Sequence, residues 1–328
     1  MTSDRPVDDL SVLVTCYNKV DYIEDCFSAL LELEVHGAAV IVVDDGSTDG
    51  SSELLLSLRE KANSKIQIIK TLNQGAGPAR RLSIEMAQTD FVFFLDIDDL
   101  PFTTAVQELL LAFKSSRADI AIGNYQVMQK SGSSLMPVSL SEFGQVSLRD
   151  YRNEFKEAMG WWRYIYKRDF LLQSHNMIGR AFEEFGTKKF VLDDLFWMIH
   201  LSSQNLEVLV SPTSLSIYHY NLPEENADER WNSYLKQVSY LPEAASKFLN
   251  FIDVNTCDHD VPWMRMTTMT ELWNHMPLLP FFTFRDSYFA SFKLTSEVLG
   301  KNPAGYFRAF KYLCLAIIKR AVRILRNL

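Results

Sequence analysis

The sequence predicts an α/β protein: a doubly wound, mostly parallel sheet flanked by helices, followed by a mainly helical C-terminal region. Three observations carry that prediction. Over the first 125 residues, short β-branched or apolar runs alternate with stretches of helical period. The turns between them are short, which favours parallel pairing of successive strands. Polar clusters fall at three strand ends, Thr15–Asn18, Asp44–Asp49 and Asp96–Asp99. Open α/β sheets place their ligands beyond the carboxyl ends of the strands.

Taken in order, Ser11–Thr15 reads as a buried strand. Asp21 and Glu24 stand three apart in the manner of a capping box, and Ile23, Phe27, Leu30 and Leu31 follow at helical spacing. Ala39–Val43 is a second strand that ends in the turn Asp44-Asp-Gly-Ser-Thr-Asp49. Ile66–Ile69 is a third, followed by a helix around Pro78–Ala87. Phe91–Leu95 is a fourth, and it runs directly into Asp96-Ile-Asp-Asp99. Residues 128–150 are rich in Ser and Gly, as at Ser131-Gly-Ser-Ser134, and read as a mobile connection. Beyond them, Trp161–Arg168 interleaves aromatic and basic residues and reads either as cations available to substrate phosphates or as an amphipathic helix with a solvated basic side, and Asp193-Asp194 opens a helix. Short strands follow near Leu206–Val210 and Leu215–Tyr220, and from about Asp228 the pattern is mostly helical and aromatic.

The composition is that of an ordinary soluble globular protein, with 47% hydrophobic and 23% charged residues over 328 positions. That length suffices for one large domain or two smaller ones. Cys16, Cys26, Cys257 and Cys314 lie far apart, without metal-finger spacing, so a reducing compartment is the simpler expectation. The first 25 residues lack a signal-peptide pattern, and fully apolar runs such as Ala38–Val43 and Leu313–Ile318 are only six residues each. A bilayer span needs about 20 such residues, so no membrane crossing is expected. The net charge is −8, yet residues 301–328 hold seven Lys or Arg and no acid. The first 300 residues are therefore strongly acidic, which argues against a nucleic-acid partner.

The chemistry concentrates at the strand ends. Two acids at i and i+2 on an extended segment, such as Asp96 and Asp98, can share one hard cation and leave room for substrate phosphates. Equally, Asp98 or Asp99 could cap the helix that starts after Pro101. Asp44-Asp45-Gly-Ser has the same ambiguity, since Asp-Gly is ordinary turn chemistry. Gly75-Ala-Gly77 invites a dinucleotide reading, but Arg80 stands where the third glycine would be, and there is no P-loop lysine motif.

In order, Val12-Leu-Val-Thr-Cys-Tyr-Asn18, Val42-Val-Asp-Asp-Gly-Ser-Thr-Asp49, Asn73-Gln-Gly-Ala-Gly-Pro-Ala-Arg80 and Phe94-Leu-Asp-Ile-Asp-Asp99 resemble the successive motifs of family-2 glycosyltransferases, which have the GT-A fold. The resemblance continues more faintly through Trp162–Arg168 and Leu192-Asp-Asp-Leu-Phe-Trp197 to Tyr218-His-Tyr220. It implies a glycosyltransferase domain over residues 1–222, with a nucleotide-sugar half at about 10–125 and an acceptor half at about 126–222. A helical extension over 223–300 and a basic amphipathic helix over 301–328 would complete the chain.

The same resemblance implies transfer of a sugar from a nucleotide-diphosphate donor to an acceptor hydroxyl, with inversion at the anomeric carbon. A UDP-sugar is the favoured donor. Tyr17 would lie against the nucleobase, Thr15 and Asp45 would hydrogen-bond base or ribose, and Arg80 would hold the nucleotide side. Asp96 would reach the ribose or a metal-bound water, and Asp98 would ligate Mg²⁺ or Mn²⁺ across the diphosphate. The family places its general base in an acidic pair, usually Glu-Asp; here the pair is Asp193-Asp194, and the base falls to Asp194. Two acids complementing a helix dipole is the plain alternative. His219 stands where some relatives add a metal or phosphate contact, though a lone strand histidine is more often simply packed. At Arg81 the family commonly has Asn.

On a helical wheel, Arg308, Lys311, Lys319, Arg320, Arg323 and Arg326 fall within one half, with most of the apolar residues of the segment opposite. Such a helix suits an anionic membrane surface, which would place the protein in the cytoplasm, peripheral on the inner face. A glycan or lipid-linked acceptor would be built there. Packing of that helix on its own domain, or on a second copy in a homo-oligomer, is the competing expectation. Two other functions remain open on sequence alone: a nucleotidyltransferase that makes the sugar nucleotide, and a catalytically silent homologue acting as an assembly partner.

Overall fold

The computed structural model describes residues 7–129, 132–136, 144–148, 163–172 and 206–219, together with Glu243, Ala245 and Ser246. The chain divides into two units, one of Met1–Phe182 with Gln204–Asn221, the other of Glu183–Ser203 with Leu222–Leu328. Nearly all the described residues belong to the first unit. In the second, Glu243, Ala245 and Ser246 are helical and Ala245 is buried.

The first unit is built on one ten-stranded sheet. Its parallel part comprises β1 (Leu10–Cys16), β2 (Ala39–Asp44), β3 (Gln67–Lys70) and β4 (Phe91–Asp96), ordered β3-β2-β1-β4. Helices α1 (Ile23–Val35), α2 (Ser51–Ala62) and α3 (Ala76–Met86) form the crossovers, and α4 (Thr103–Lys114) follows the two-residue strand β5 (Leu100–Pro101). The parallel, doubly wound α/β arrangement expected from the alternation of elements is therefore observed in this part of the sheet. The strands β1, β2 and β4 are apolar along almost their whole length because helices or neighbouring strands cover both faces. Val12, Leu13, Val14, Val42, Val43, Val92 and Phe93 are all fully buried.

Beyond β4 the sheet becomes mixed. Strand β6 (Ile120–Gln129) is followed by β7 (Gly132–Met136) and β8 (Gly144–Ser147), then β9 (Tyr164–Lys167) and β10 (Glu207–His219). The order continues β4-β9-β6-β10-β5, with β9 antiparallel to both β4 and β6, and β10 parallel to β6.

Several local expectations are corrected. The capping box at Asp21 and Glu24 does not form: Val20–Tyr22 is a 3₁₀ turn, and α1 starts at Ile23 after Tyr22 without a side-chain cap. The amphipathic face survives, since Ile23, Cys26, Phe27, Leu30 and Leu33 are buried. The far end of α1 is a Schellman motif, in which Gly37, at φ 101°, lets Ala38 N–H reach Leu33 C=O at 3.0 Å. Neither Asp98 nor Asp99 caps α4, whose N-cap is Phe102. The Ser/Gly segment expected as a mobile connection holds two strands, β7 on β6 and β8 on β10. The two short strands expected after residue 205 are one strand, broken by irregular register between Val210 and Ser216.

The basic-aromatic stretch is the largest departure. From Tyr164 to Lys167 it is a central strand, not a surface helix, and Arg163, Tyr164 and Tyr166 are buried. Arg163 Nε donates to Gly123 C=O at 3.3 Å and its guanidinium lies over the Tyr125 ring. Lys167 Nζ donates to Ala118 C=O at 2.7 Å. These cations hold strands together and are not arrayed for a diphosphate.

Candidate active site

Parallel register brings three strand ends level. Thr15 pairs with Asp96 across β1 and β4, and Cys16 with Asp44 across β1 and β2. The loops that leave these strands therefore meet at one edge of the sheet, as the positions of the polar clusters predicted.

Their first contacts are scaffolding. The buried Asp44 carboxylate accepts from Ser47 N–H at 3.0 Å, from Ser47 Oγ at 2.5 Å and from Ser52 Oγ. Asn18, in the left-handed region at φ 51°, accepts at Oδ1 from Thr48 N–H at 2.8 Å, while its own N–H donates to Ser47 Oγ at 2.9 Å. Asp49 accepts from Ser51 N–H at 3.0 Å, Ser51 Oγ at 2.6 Å and Val20 N–H at 3.1 Å. Partial burial pushes the Asp49 carboxyl up, but these donated hydrogen bonds outweigh it and hold the group below the usual carboxylate value. Beneath them, burial and the nearby Asp44 charge push the Cys16 thiol up to about 12, so it stays protonated. Cys16 and Cys26 are both free thiols.

Asp45 ties the second loop to the third. Its Oδ1 accepts from Gln74 N–H at 2.9 Å and Thr71 Oγ1 at 3.3 Å, and its Oδ2 from Gly75 N–H at 2.7 Å. The two loops press close: a Cβ on Gly46 would sit 2.7 Å from the Asn73 nitrogen, and Gly46 adopts φ +75°. The clamp sets the entry to α3, and α3 carries Arg80.

The turn after β4 is held differently. Asp96 Oδ1 accepts from Thr15 Oγ1 at 2.5 Å and pairs with Arg80 Nη2 at 3.2 Å. Asp98 pairs with the ammonium of Lys19 from the β1–α1 loop. Asp99 is buried, and its N–H closes the turn onto Asp96 C=O at 2.9 Å. Tyr17 stands beside this group with its side chain largely open, the residue being 46% exposed.

Of the residues singled out from sequence, the fold thus brings Thr15, Asp45, Arg80, Asp96 and Asp98 to one edge with Tyr17. His219 ends β10, opposite Met128, and its side chain lies outside the described residues. Asp193 and Asp194 also lie outside them, in the second unit. Lys19 was not singled out; the one sequence signal near it is Asn18, a residue type that tolerates the left-handed conformation required there. Among the described residues, no group of three His, Cys, Asp or Glu side chains is arranged as a protein-only metal cage.

Comparison with known proteins bears on the family and the fold. Residues 11–196, more than half of the chain, match the model of glycosyl transferase family 2. Among curated relatives, the glycosyltransferase GlyG of Streptococcus pneumoniae is 25% identical over 193 residues, covering 54% of this chain and 63% of that protein. The chain spans between 50% and 64% of the length of the first curated relatives it matches. Among solved structures, S. aureus TarS 1-349 in complex with UDP-GlcNAc aligns with a TM-score of 0.55 at 15% identity, over 93% of this chain and 90% of that one. The mannosyltransferase PcManGT of Pyrobaculum calidifontis, in complex with GDP-Man and Mn²⁺, aligns with a TM-score of 0.52 at 15% identity, over 97% of this chain and 87% of that one. At such identities the likeness speaks for the fold, which is GT-A. With the ordered motifs, the strand-end geometry and the family match in agreement, the chain belongs to glycosyl transferase family 2.

Proposed function

We propose that this chain is an inverting glycosyltransferase that moves a sugar from a nucleotide-diphosphate donor, a UDP-sugar first of all, to a hydroxyl of a glycan or lipid-linked acceptor. The observation that carries this reading is the convergence of Thr15, Arg80 and Asp96 on one another beside Asp98, at adjacent parallel strand ends. The complexes of TarS with UDP-GlcNAc and of PcManGT with GDP-Man and Mn²⁺ support a donor of this class.

In this reading the exposed Tyr17 ring stacks on the base, and Arg80 meets its polar edge with a rigid fork of donors. Thr15 and Asp96 act on the ribose side, and Asp45 acts on base or ribose from beside the Gln74–Gly75 backbone. Asp98, with Asp96 nearby, would hold Mg²⁺ or Mn²⁺. The donor set fits, since such cations take one or two carboxylates and complete their shell with water and substrate phosphates. When bound, the cation would neutralise charge on the departing nucleoside diphosphate.

Asp194 takes the proton of the acceptor hydroxyl as its oxygen bonds to the anomeric carbon and the bond from that carbon to the diphosphate oxygen breaks. His219 would add a contact to metal or phosphate. The basic segment 301–328 would hold the protein against an anionic membrane surface, at the inner face in the cytoplasm. Support for that comes from its charge and periodicity. Among the described residues, no helix is long and apolar enough to cross a membrane.

The base assignment is tested by Asp194→Asn. We expect UDP binding by calorimetry to be unchanged, while transfer of labelled sugar falls by about 10²–10⁴, the usual contribution of a positioned general base. Normal turnover by the variant would remove Asp194 from the mechanism.

A further inference from the structure

We propose that Lys19 is a resident counter-cation for Asp98, holding the place a divalent cation must take, so that metal enters only together with the anionic donor. This inference rests on the donor reading above. It begins with how firmly the lysine backbone is fixed. Lys19 N–H donates to Ser51 Oγ at 3.0 Å, and the preceding Asn18 is bonded to Ser47 and Thr48 in both directions. From that anchored position the side chain runs over the Tyr22 ring, with Nζ 5.6 Å from the centroid, to Asp98 Oδ2. The ammonium thus has two favourable contacts, one with a carboxylate and one with a π face.

Charge then makes metal entry conditional. Asp96 carries Arg80 and Asp98 carries Lys19, so each of these two carboxylates already has a cation of the chain beside it. A dication arriving alone must displace Lys19 from Asp98 and then stand near two cations with no new anion to offset it. A dication arriving with a diphosphate brings the anion along. Lysine suits this role better than arginine would: its charge is a compact, strongly hydrated point on a flexible stem, and a part-exposed pair of this kind is weak enough to exchange. The fraction of molecules in which Asp98 is free of Lys19 sets the apparent affinity for metal alone.

The test is Mn²⁺ binding to the full chain, followed by the electron paramagnetic resonance of free Mn²⁺, with and without UDP. Wild type is compared with Lys19→Gln and Lys19→Arg. Without UDP, Lys19→Gln should bind Mn²⁺ about tenfold or more tightly than wild type, because the competing cation is gone and the tax on the free carboxylate is lifted. The factor by which UDP promotes Mn²⁺ binding should shrink correspondingly, and Lys19→Arg, which keeps a cation that is harder to displace, should bind Mn²⁺ alone no more tightly than wild type. A merely structural lysine would not tighten metal binding when removed. Equal or weaker Mn²⁺ affinity in Lys19→Gln, with coupling between UDP and Mn²⁺ intact in wild type, would overturn this inference and leave the donor reading standing. Absence of Mn²⁺ binding in every variant, with UDP or without it, would overturn both.

Discussion

Two sets of aspartates crowd the same edge of the sheet and are held by opposite chemistry. Asp44, which ends β2, and Asp45 and Asp49 in the turn beyond it accept hydrogen bonds from backbone N–H groups and serine or threonine hydroxyls of that turn, of α2 and of the loops after β1 and β3. Asp96, which ends β4, and Asp98 beyond it face the cationic side chains Arg80 and Lys19, Asp96 also accepting from Thr15 Oγ1. A network of backbone donors cannot rearrange without moving the chain, so the first set behaves as scaffold. A side-chain cation can swing away and be replaced by another cation, so the second set is free to exchange partners. Residue type alone does not separate these roles; what surrounds each carboxylate does.

The sharpest way to break this contrast is to truncate one aspartate from each set. Asp44→Ala strips a buried carboxylate from three donors and should cost about 3 kcal/mol in urea unfolding, since hydrogen bonds to charged groups are strong and orphaned buried donors are costly. Asp98→Ala removes a part-exposed ion pair and should change stability by less than about 1 kcal/mol. Its effect should appear instead as a loss of more than about tenfold in Mn²⁺ and UDP affinity. Equal destabilisation by both substitutions would erase the distinction.

A smaller effect comes from Asp49. Its carboxyl is held below the ordinary value of 3.8, so it favours the folded state when ionised. That contribution is fully present above the unfolded value and is lost as pH falls through the lower folded one. The stability gap between wild type and Asp49→Asn should therefore be constant near neutrality and narrow on acidification. A gap that widened in acid would contradict the hydrogen-bond account of this loop.

The parallel part of the fold was legible because its strands are unbroken apolar runs ended by polar clusters, a pattern that burial on both faces imposes. The motif residues followed, since Thr15, Asp45 and Asp96 belong to those strands or their turns and Arg80 to α3, the crossover between β3 and β4. The mixed part was harder to read. In Arg163–Arg168, aromatic and basic residues alternate like the face of a surface helix, and only the carbonyls of Gly123 and Ala118 on neighbouring segments make those cations suitable for an interior. The capping box failed because tertiary ties from Ser51 and Asp49 to Lys19 and Val20 shape the approach to α1. Lys19 left no mark in the sequence, because one lysine in a loop looks like any other until a partner is placed beside it. Asp194 is proposed from its motif alone and lies outside the described residues.

The central claim is that the β1, β2 and β4 strand ends form a metal-assisted site for a nucleoside diphosphate. Calorimetric titration of the full chain with UDP, GDP, CDP and dTDP, each with and without Mn²⁺, tests it most directly. UDP is expected to bind, with binding that depends on Mn²⁺. If none of the four bound under either condition, the motifs would be inherited fold without a donor site, and the account would be wrong.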